Sequence, residues 1–255
     1  MSNAPSSDLT GKKIFFLFPT TAIQEQVIGE LIQHEYEVYS SKDPARLGRV
    51  LKKYSDAIVF VNIDEGMKEP EWEKWIGGIL KAFPEVKIGV FSTNNSEEKS
   101  SKYINDLHTV CGYMHMKHDM SKCAVKVLEI LNILNVKGRR KFIRATTEAE
   151  SMATVNMPFE SDYINGTVKD ISVVGISCTF EKDTELAKNT LFKDVQIRLN
   201  TILLKVEAIV FGSRMDGGEK IYVFLFTQRI DPEVRVKIRK YIHQNLQRKM
   251  DYQTC

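Results

Sequence analysis

The sequence predicts two domains of different class: an α/β domain, then a small antiparallel β-barrel with a C-terminal helix. Three observations predict this. Apolar strand patterns alternate with helical ones up to about residue 136. Short β-branched segments at hairpin spacing follow. An amphipathic pattern opened by Asp231 and Pro232 then runs to the basic residues Arg248 and Lys249.

In order, residues 1–10 are small and polar and read as a disordered start. IFFLF, residues 14–18, reads as a buried strand. Residues 22–34 place Ile23, Val27, Ile28, Leu31 and Ile32 on one helical face. Val38 and Tyr39 give a short strand. Asp43 opens the next helix as N-cap, with Pro44 at its first position. AIVFVNI, residues 57–63, is continuously apolar, as a strand covered on both faces must be. Glu69, Pro70 and Glu71 start a helix bearing Trp72, Trp75, Ile79 and Leu80, and KIGVFS, residues 87–92, is the fourth strand. Ser96 caps a polar helix that runs through Leu107, with Glu97 and Glu98 in its first turn. GYMHM, residues 112–116, is the fifth strand. Asp119 or Ser121 caps a helix carrying Val125, Val127, Leu128, Ile130, Leu131 and Leu134, which Gly138 is expected to end. Five βα units in about 130 residues are the size of a flavodoxin-like domain. No GxGxxG follows the first strand, which argues against a dinucleotide site.

After Gly138 the period changes. Residues 144–157 are rich in Thr, Ala and Val. Residues 163–182 alternate, with turn signals at Asn165-Gly166 and at Gly175. Residues 191–211 read as two strands around a loose centre. MDGGEK, residues 215–220, is a hairpin loop before the return strand IYVFLF, residues 221–226. In the last helix Val234, Val236, Ile238, Ile242 and Leu246 form the apolar face. Its basic face reads either as a solvated surface or as a surface for anionic lipid or nucleic acid. The expected domain bounds are 11–136 and 137–255.

Composition narrows the function. The chain has 255 residues, 27% of them charged, and a formal charge of +3. That length suits two domains, and so small a net charge does not argue for nucleic acid as a partner. No apolar run reaches the roughly 20 residues needed to span a membrane. IFFLF is shorter than the roughly 7–15 residues of a signal-peptide core, so a cytoplasmic location is expected. Cys111, Cys123, Cys178 and Cys255 are scattered without a CxxC pair and read as reduced thiols. No P-loop, paired catalytic carboxylates or supported nucleophile–base arrangement is present, so neither an enzyme nor a metal site is expected.

Two strings remain. KGRRKFIR, residues 137–144, places Arg139, Arg140 and Arg144 at the junction of the two patterns. DISVVG, residues 170–175, supplies Asp170, Ser172 and Gly175 in a strand that runs into a turn. Guanidinium forks match phosphate or the O6/N7 edge of guanine. A carboxylate such as Asp170 is an acceptor, Ser172 can donate or accept, and Gly175 lets a backbone turn or approach closely. The plainer readings are a solvated linker for the arginines and a β-turn for Asp170 and Ser172.

Taken together, Arg140-x-x-x-Arg144 and Asp170-x-Ser172-x-x-Gly175, in this order and in a barrel context, resemble the PilZ domain over about residues 137–250. The resemblance implies a non-enzymatic receptor for cyclic di-GMP whose ligand contacts are Arg140 and Arg144, helped by Arg139, with Asp170, Ser172 and Gly175. It implies no cofactor beyond that ligand. It also implies a protein partner in motility, adhesion or polysaccharide machinery, with the arginine stretch as a hinge that ligand binding orders. The alternative is a degenerate barrel without ligand binding, the chain then acting as a protein-interaction module or as a receiver-type phosphoswitch.

The first half resembles the receiver domain of response regulators. Asp64 of VNID stands near the phosphoacceptor position, with Asn62 an equal candidate. Ser92 and Thr93 end the fourth strand, and Lys117 lies near the receiver lysine. Where receivers hold an acidic pair for magnesium, this chain has Pro19, Thr20 and Thr21. This half is therefore expected not to be phosphorylated and to act as a docking or dimerisation surface.

Overall fold

The computed structural model describes residues 7–116, 120–147, 153–182 and 184–252. Lys117, Asp119, Cys255 and residues 1–6 of the expected disordered start lie outside them. The chain divides into two compact units, residues 1–141 with 247–255, and residues 142–246.

The first unit is built on a five-stranded parallel sheet of β1 (Ile14–Leu17), β2 (Val38–Ser41), β3 (Ile58–Asn62), β4 (Lys87–Ser92) and β5 (Tyr113–His115), in the order β2-β1-β3-β4-β5. This is the doubly wound order in which the sheet reverses beside β1 and β3. Every residue of β1 and β3 is buried, which explains why they are apolar throughout except for Asn62 at the end of β3. Phe16 stacks on its register partner Phe60, and Phe91 packs edge-on against Phe60. Gly89 lies opposite Phe60, where a Cβ would come within 2.7 Å of the ring, so the glycine makes room for the aromatic core.

The helices follow their sequence signals at most starts. Ser7–Thr10 form one helical turn, α1, where a disordered start is expected. A π-helical stretch, Ile23–Ile28, runs into α2 (Gly29–Gln33) and buries Ile23, Val27, Ile28 and Leu31. In α3 (Pro44–Leu51) the Asp43 side chain accepts from Arg46 N at 2.9 Å. Helix α4 spans Glu69–Ala82, with Trp72 fully buried. Ser96 caps α5 (Glu97–Ser101), which continues into a π-helical stretch, Lys102–Asp106.

Helix α6 spans Met120–Ile133. Ser121 therefore lies inside the helix, not at its cap. Val127 and Leu131 face the core, but Val125 is exposed because it falls two residues off that face. The helix does not end on Gly138. Asn135, at φ 48°, takes the left-handed position after it. Gly138 instead meets Gly11 backbone to backbone: a Cβ on Gly138 would lie 2.3 Å from Gly11 N.

The second unit is a closed antiparallel barrel with a trailing helix. Its strands are β6 (Ala145–Thr146), β7 (Ala153–Phe159), β8 (Asp162–Ser172), β9 (Gly175–Phe180), β10 (Leu191–Leu199), β11 (Ile202–Asp216) and β12 (Glu219–Phe226). The order is β6-β8-β7-β10-β11-β12-β9, and β8 also pairs with β9. That pairing closes six strands into a ring and leaves β6 as a short flap on β8. Register shifts in the β8–β9, β10–β11 and β11–β12 pairs supply the local bends that closure requires. Val155, Met157, Val168, Ile197, Val210 and Phe224 fill the interior, against Ile238, Tyr241 and Ile242 of α7 (Pro232–Tyr252). Val236, expected on that face, is 59% exposed, two residues away from Ile238 on the helix.

Two turn expectations separate here. Gly217 and Gly218, at φ 56° and 86°, form the two-residue loop between Asp216 and Glu219, as MDGGEK predicts. Asn165-Gly166 is no turn. It lies inside β8, with Gly166 paired to Val155 and Phe180, and a Cβ there would come within 2.3 Å of Thr179 O. The β7–β8 turn is instead Glu160-Ser161, with Glu160 at φ 55°.

Candidate functional site

Asp170 is positioned by pairing on both sides. Strand β6 sets Thr146 opposite Asp170 and Ala145 opposite Ile171, which brings Arg144 to the end of β8. Strand β9 sets Ser177 opposite Asp170, Ile176 opposite Ile171 and Gly175 opposite Ser172. The turn between them is Val173-Val174. Arg144 Nη1 lies 3.9 Å from Asp170 Oδ1, with the arginine side chain 50% exposed and the aspartate 19%. That separation is an electrostatic contact longer than a hydrogen bond. A half-exposed pair of this kind contributes little stability, so the two groups can part at small cost when a ligand presents better partners. Ser177 Oγ donates to Asp170 Oδ2.

Ser172 and Gly175 have local work. The Ser172 side chain is buried; its Oγ donates to Gly175 O at 3.3 Å and accepts from Val174 N at 3.4 Å. It therefore ties off the turn, as its residue type favours. A Cβ on Gly175 would lie 2.1 Å from Phe224 O, so the missing side chain lets β9 lie close against β12.

The structure thus brings together Arg144, Asp170, Ser172 and Gly175. Arg139 and Arg140 are exposed and belong to the first unit, where Arg140 N donates to Leu9 O at 3.1 Å. Arg139 lines a cleft of about 360 Å³ in that unit with Lys12, Lys137 and the backbones of Gly11 and Gly138. Ser177 was not singled out by the sequence. Its signal would have been the hairpin register: once the turn is placed at Val173-Val174, Ser177 must face Asp170.

The second carboxylate of interest, Asp64, follows β3. Ser92 Oγ donates to its Oδ1 at 2.6 Å. Thr93 N and Thr93 Oγ1 donate to Oδ2 at 2.6 and 2.8 Å. Burial pushes its carboxyl up, but these hydrogen bonds and the Lys99 charge more than offset that, so its pKa lies below the ordinary carboxylate value. Asn62, the last residue of β3, is buried; its amide donates to Phe18 O at 3.0 Å and its oxygen accepts from Asp64 N at 3.2 Å. Thr20 Oγ1, in the stretch where receivers carry their acidic pair, accepts from Ile23 N at 3.3 Å at the start of the π-helical stretch before α2.

Among the described residues, no group of three His, Cys, Asp or Glu side chains could hold a metal, and no helix is long and apolar enough to cross a membrane. Cys111, Cys123 and Cys178 are buried thiols. Burial pushes the Cys111 thiol up to about 12 and raises that of Cys178 still further, which suits inert core thiols.

Residues 138–244 match the family model of the PilZ domain. No curated protein matches the chain. Solved structures similar to parts of it include YcgR from Escherichia coli in complex with c-di-GMP, at 14% identity and TM-score 0.40, covering 46% of this chain and 50% of that one. The Bacillus subtilis inhibitor of motility MotI/DgrA matches at 17% identity and TM-score 0.37, covering 44% and 52%. A response regulator from Thermotoga maritima matches at 20% identity and TM-score 0.39, covering 49% and 99%. The chain spans about half the length of the YcgR structure it matches.

Proposed function

We propose that the barrel unit is a receptor for cyclic di-GMP and that the chain is a non-enzymatic signalling effector. The observation that carries this reading is the Asp170 carboxylate beside the half-exposed Arg144 guanidinium, inside the stretch that matches the PilZ domain. The ligand has two phosphodiester anions and two guanines. Asp170 accepts from guanine N1–H and N2–H, and Arg144 is released to meet phosphate or the O6/N7 edge. Arg139 and Arg140, on the chain leading into the barrel, supply further forks that stack on the bases as planar cations. Ser172 and Gly175 shape the turn behind Asp170.

Calorimetric titration of cyclic di-GMP into the wild type and into Arg140→Ala/Arg144→Ala tests this. Each bidentate arginine contact contributes roughly 1–3 kcal/mol, so the double variant binds about 100-fold more weakly or not at all. Absence of binding in the wild type would make the barrel a degenerate one that serves as an interaction module.

The output follows from the position of the arginines. Ordering residues 139–144 on the ligand changes the arrangement of the two units, and the α/β unit relays this to a protein partner of the motility, adhesion or polysaccharide machinery. A ligand shifts such an equilibrium only by its differential affinity for the two arrangements. Small-angle scattering with and without cyclic di-GMP reads it directly; superimposable curves at saturating ligand would refute the coupling.

A further inference from the structure

The PilZ-like motif residues do not include Ser177, and the β8–β9 hairpin gives it one partner of consequence. Ser177 is 2% exposed and faces Asp170 across the ladder. Its hydroxyl donates to Asp170 Oδ2. The terminal torsion of an aspartate is broad and roughly two-fold, so a carboxylate at a strand end otherwise samples many planes. Holding Oδ2 from beneath selects one of them and leaves Oδ1 on the side where Arg144 Nη1 stands 3.9 Å away. An ionised carboxylate offers about four lone-pair sites, so accepting from Ser177 leaves Oδ2 able to accept once more.

We infer that Ser177 is a positioning residue that sets the plane of the Asp170 carboxylate and thereby selects a purine with a 2-amino group. The inference rests on the receptor reading above and deepens it. Guanine presents N1–H and N2–H as two parallel donors. A carboxylate meets both only when its plane matches that of the base. If the plane wanders, the N1–H bond is still made by one oxygen or the other, and the second bond is lost for part of the time. The specific consequence of losing Ser177 is therefore reduced recognition of the 2-amino group, beyond any general loss of affinity.

The experiment compares cyclic di-GMP with its cyclic di-inosine analogue, which lacks only the 2-amino groups, by calorimetry on the wild type, Ser177→Ala and Ser177→Thr. In the wild type, removal of a charge-assisted hydrogen bond makes the inosine ligand bind about tenfold more weakly. In Ser177→Ala that ratio falls toward unity while affinity for the inosine ligand changes little. Ser177→Thr keeps the hydroxyl and restores the ratio. An unchanged ratio in Ser177→Ala, with both ligands weakened alike or not at all, overturns the inference and leaves the receptor reading intact. Failure of the wild type to bind cyclic di-GMP overturns both. If Ser177→Ala does not fold, Ser177→Val, isosteric with Ser177→Thr but without the hydroxyl, takes its place: a ratio near unity supports the inference and a wild-type ratio overturns it.

Discussion

Asp64 and Asp170 each stand at the end of a strand, each beside hydroxyl donors, and each within a string that resembles a signalling motif. Their surroundings differ in one respect that matters. Both oxygens of Asp64 are occupied by Ser92 and Thr93, through three hydrogen bonds of 2.6 to 2.8 Å. Asp170 has one oxygen engaged by Ser177, and the other faces a half-exposed arginine at 3.9 Å. Asp64 is nevertheless the more exposed residue of the two. On the receptor reading proposed above, exposure therefore does not mark the carboxylate that takes the ligand; the acceptor capacity left after local bonding does. Asp64 is a fastener between the loop after β3 and the end of β4. Asp170 is oriented from one side and available from the other.

The sharpest way to break this comparison is to remove each carboxylate and measure cyclic di-GMP affinity. A hydrogen bond to a charged group contributes about 1.5–3 kcal/mol, so Asp170→Ala weakens binding by roughly 10- to 100-fold. Asp64→Ala leaves the dissociation constant within about twofold, since differences that small lie below 0.5 kcal/mol. Equal effects of the two variants would show that the distinction drawn from their hydrogen bonds carries no functional weight.

A second variant sharpens the comparison by attacking the support of Asp170 and sparing its chemistry. Gly175 has no space for a side chain, because a Cβ would lie 2.1 Å from the backbone oxygen of Phe224. Gly175→Ala must therefore push β9 away from β12, and overpacking of this kind costs about 1–3 kcal/mol. The expected outcome is a lowered thermal midpoint of the barrel, read by near-ultraviolet circular dichroism, together with weaker ligand binding. An unshifted midpoint would mean that the two strands can part freely and that the turn is not held as described.

How far the sequence reveals these things depends on the range of the interaction that decides them. The alternation of apolar strands with helices is a long-period signal carried by many residues, so the α/β unit and its five strands are legible without coordinates. Asp43-Pro44 and Gly217-Gly218 are legible because the residue itself supplies the cap or the positive φ. Asn165-Gly166 misleads because the same glycine serves another need: it lets β8 pass under Phe180 and the Thr179 backbone, a constraint set by its hairpin partner β9. Glu160, which takes the left-handed turn position instead, is not a residue type that announces it. Gly138 misleads likewise, since its contact is with Gly11, more than a hundred residues earlier. The candidate site divides in the same way. Arg144 and Asp170 are visible as motif members, whereas Ser177 becomes visible only through the register, which requires the expected turn before Gly175 to be placed at Val173-Val174.

The smallest expected effect concerns Asp64 alone and tests its role as a fastener. Its folded pKa lies below the ordinary carboxylate value because donors from Ser92 and Thr93 and the Lys99 charge favour the ionised form more than burial disfavours it. A carboxyl with a depressed folded pKa contributes stability that is fully present above its unfolded pKa and is lost as pH falls through the folded one. Asp64→Asn cannot ionise, and its amide group would turn a donor toward Thr93 N or the Ser92 hydroxyl. The variant is therefore less stable than the wild type at pH 7. Because Asp64 is substantially exposed, solvent screening keeps the difference under about 1 kcal/mol. The difference must shrink as pH is lowered below about 4, where the carboxyl takes up a proton in the unfolded chain before it does so in the folded one. Paired denaturant titrations of the two proteins at pH 7 and at pH 3 measure it. A gap that stays constant or widens toward acid would mean that the Ser92 and Thr93 bonds do not favour the ionised carboxylate, and Asp64 would then no longer differ in kind from Asp170.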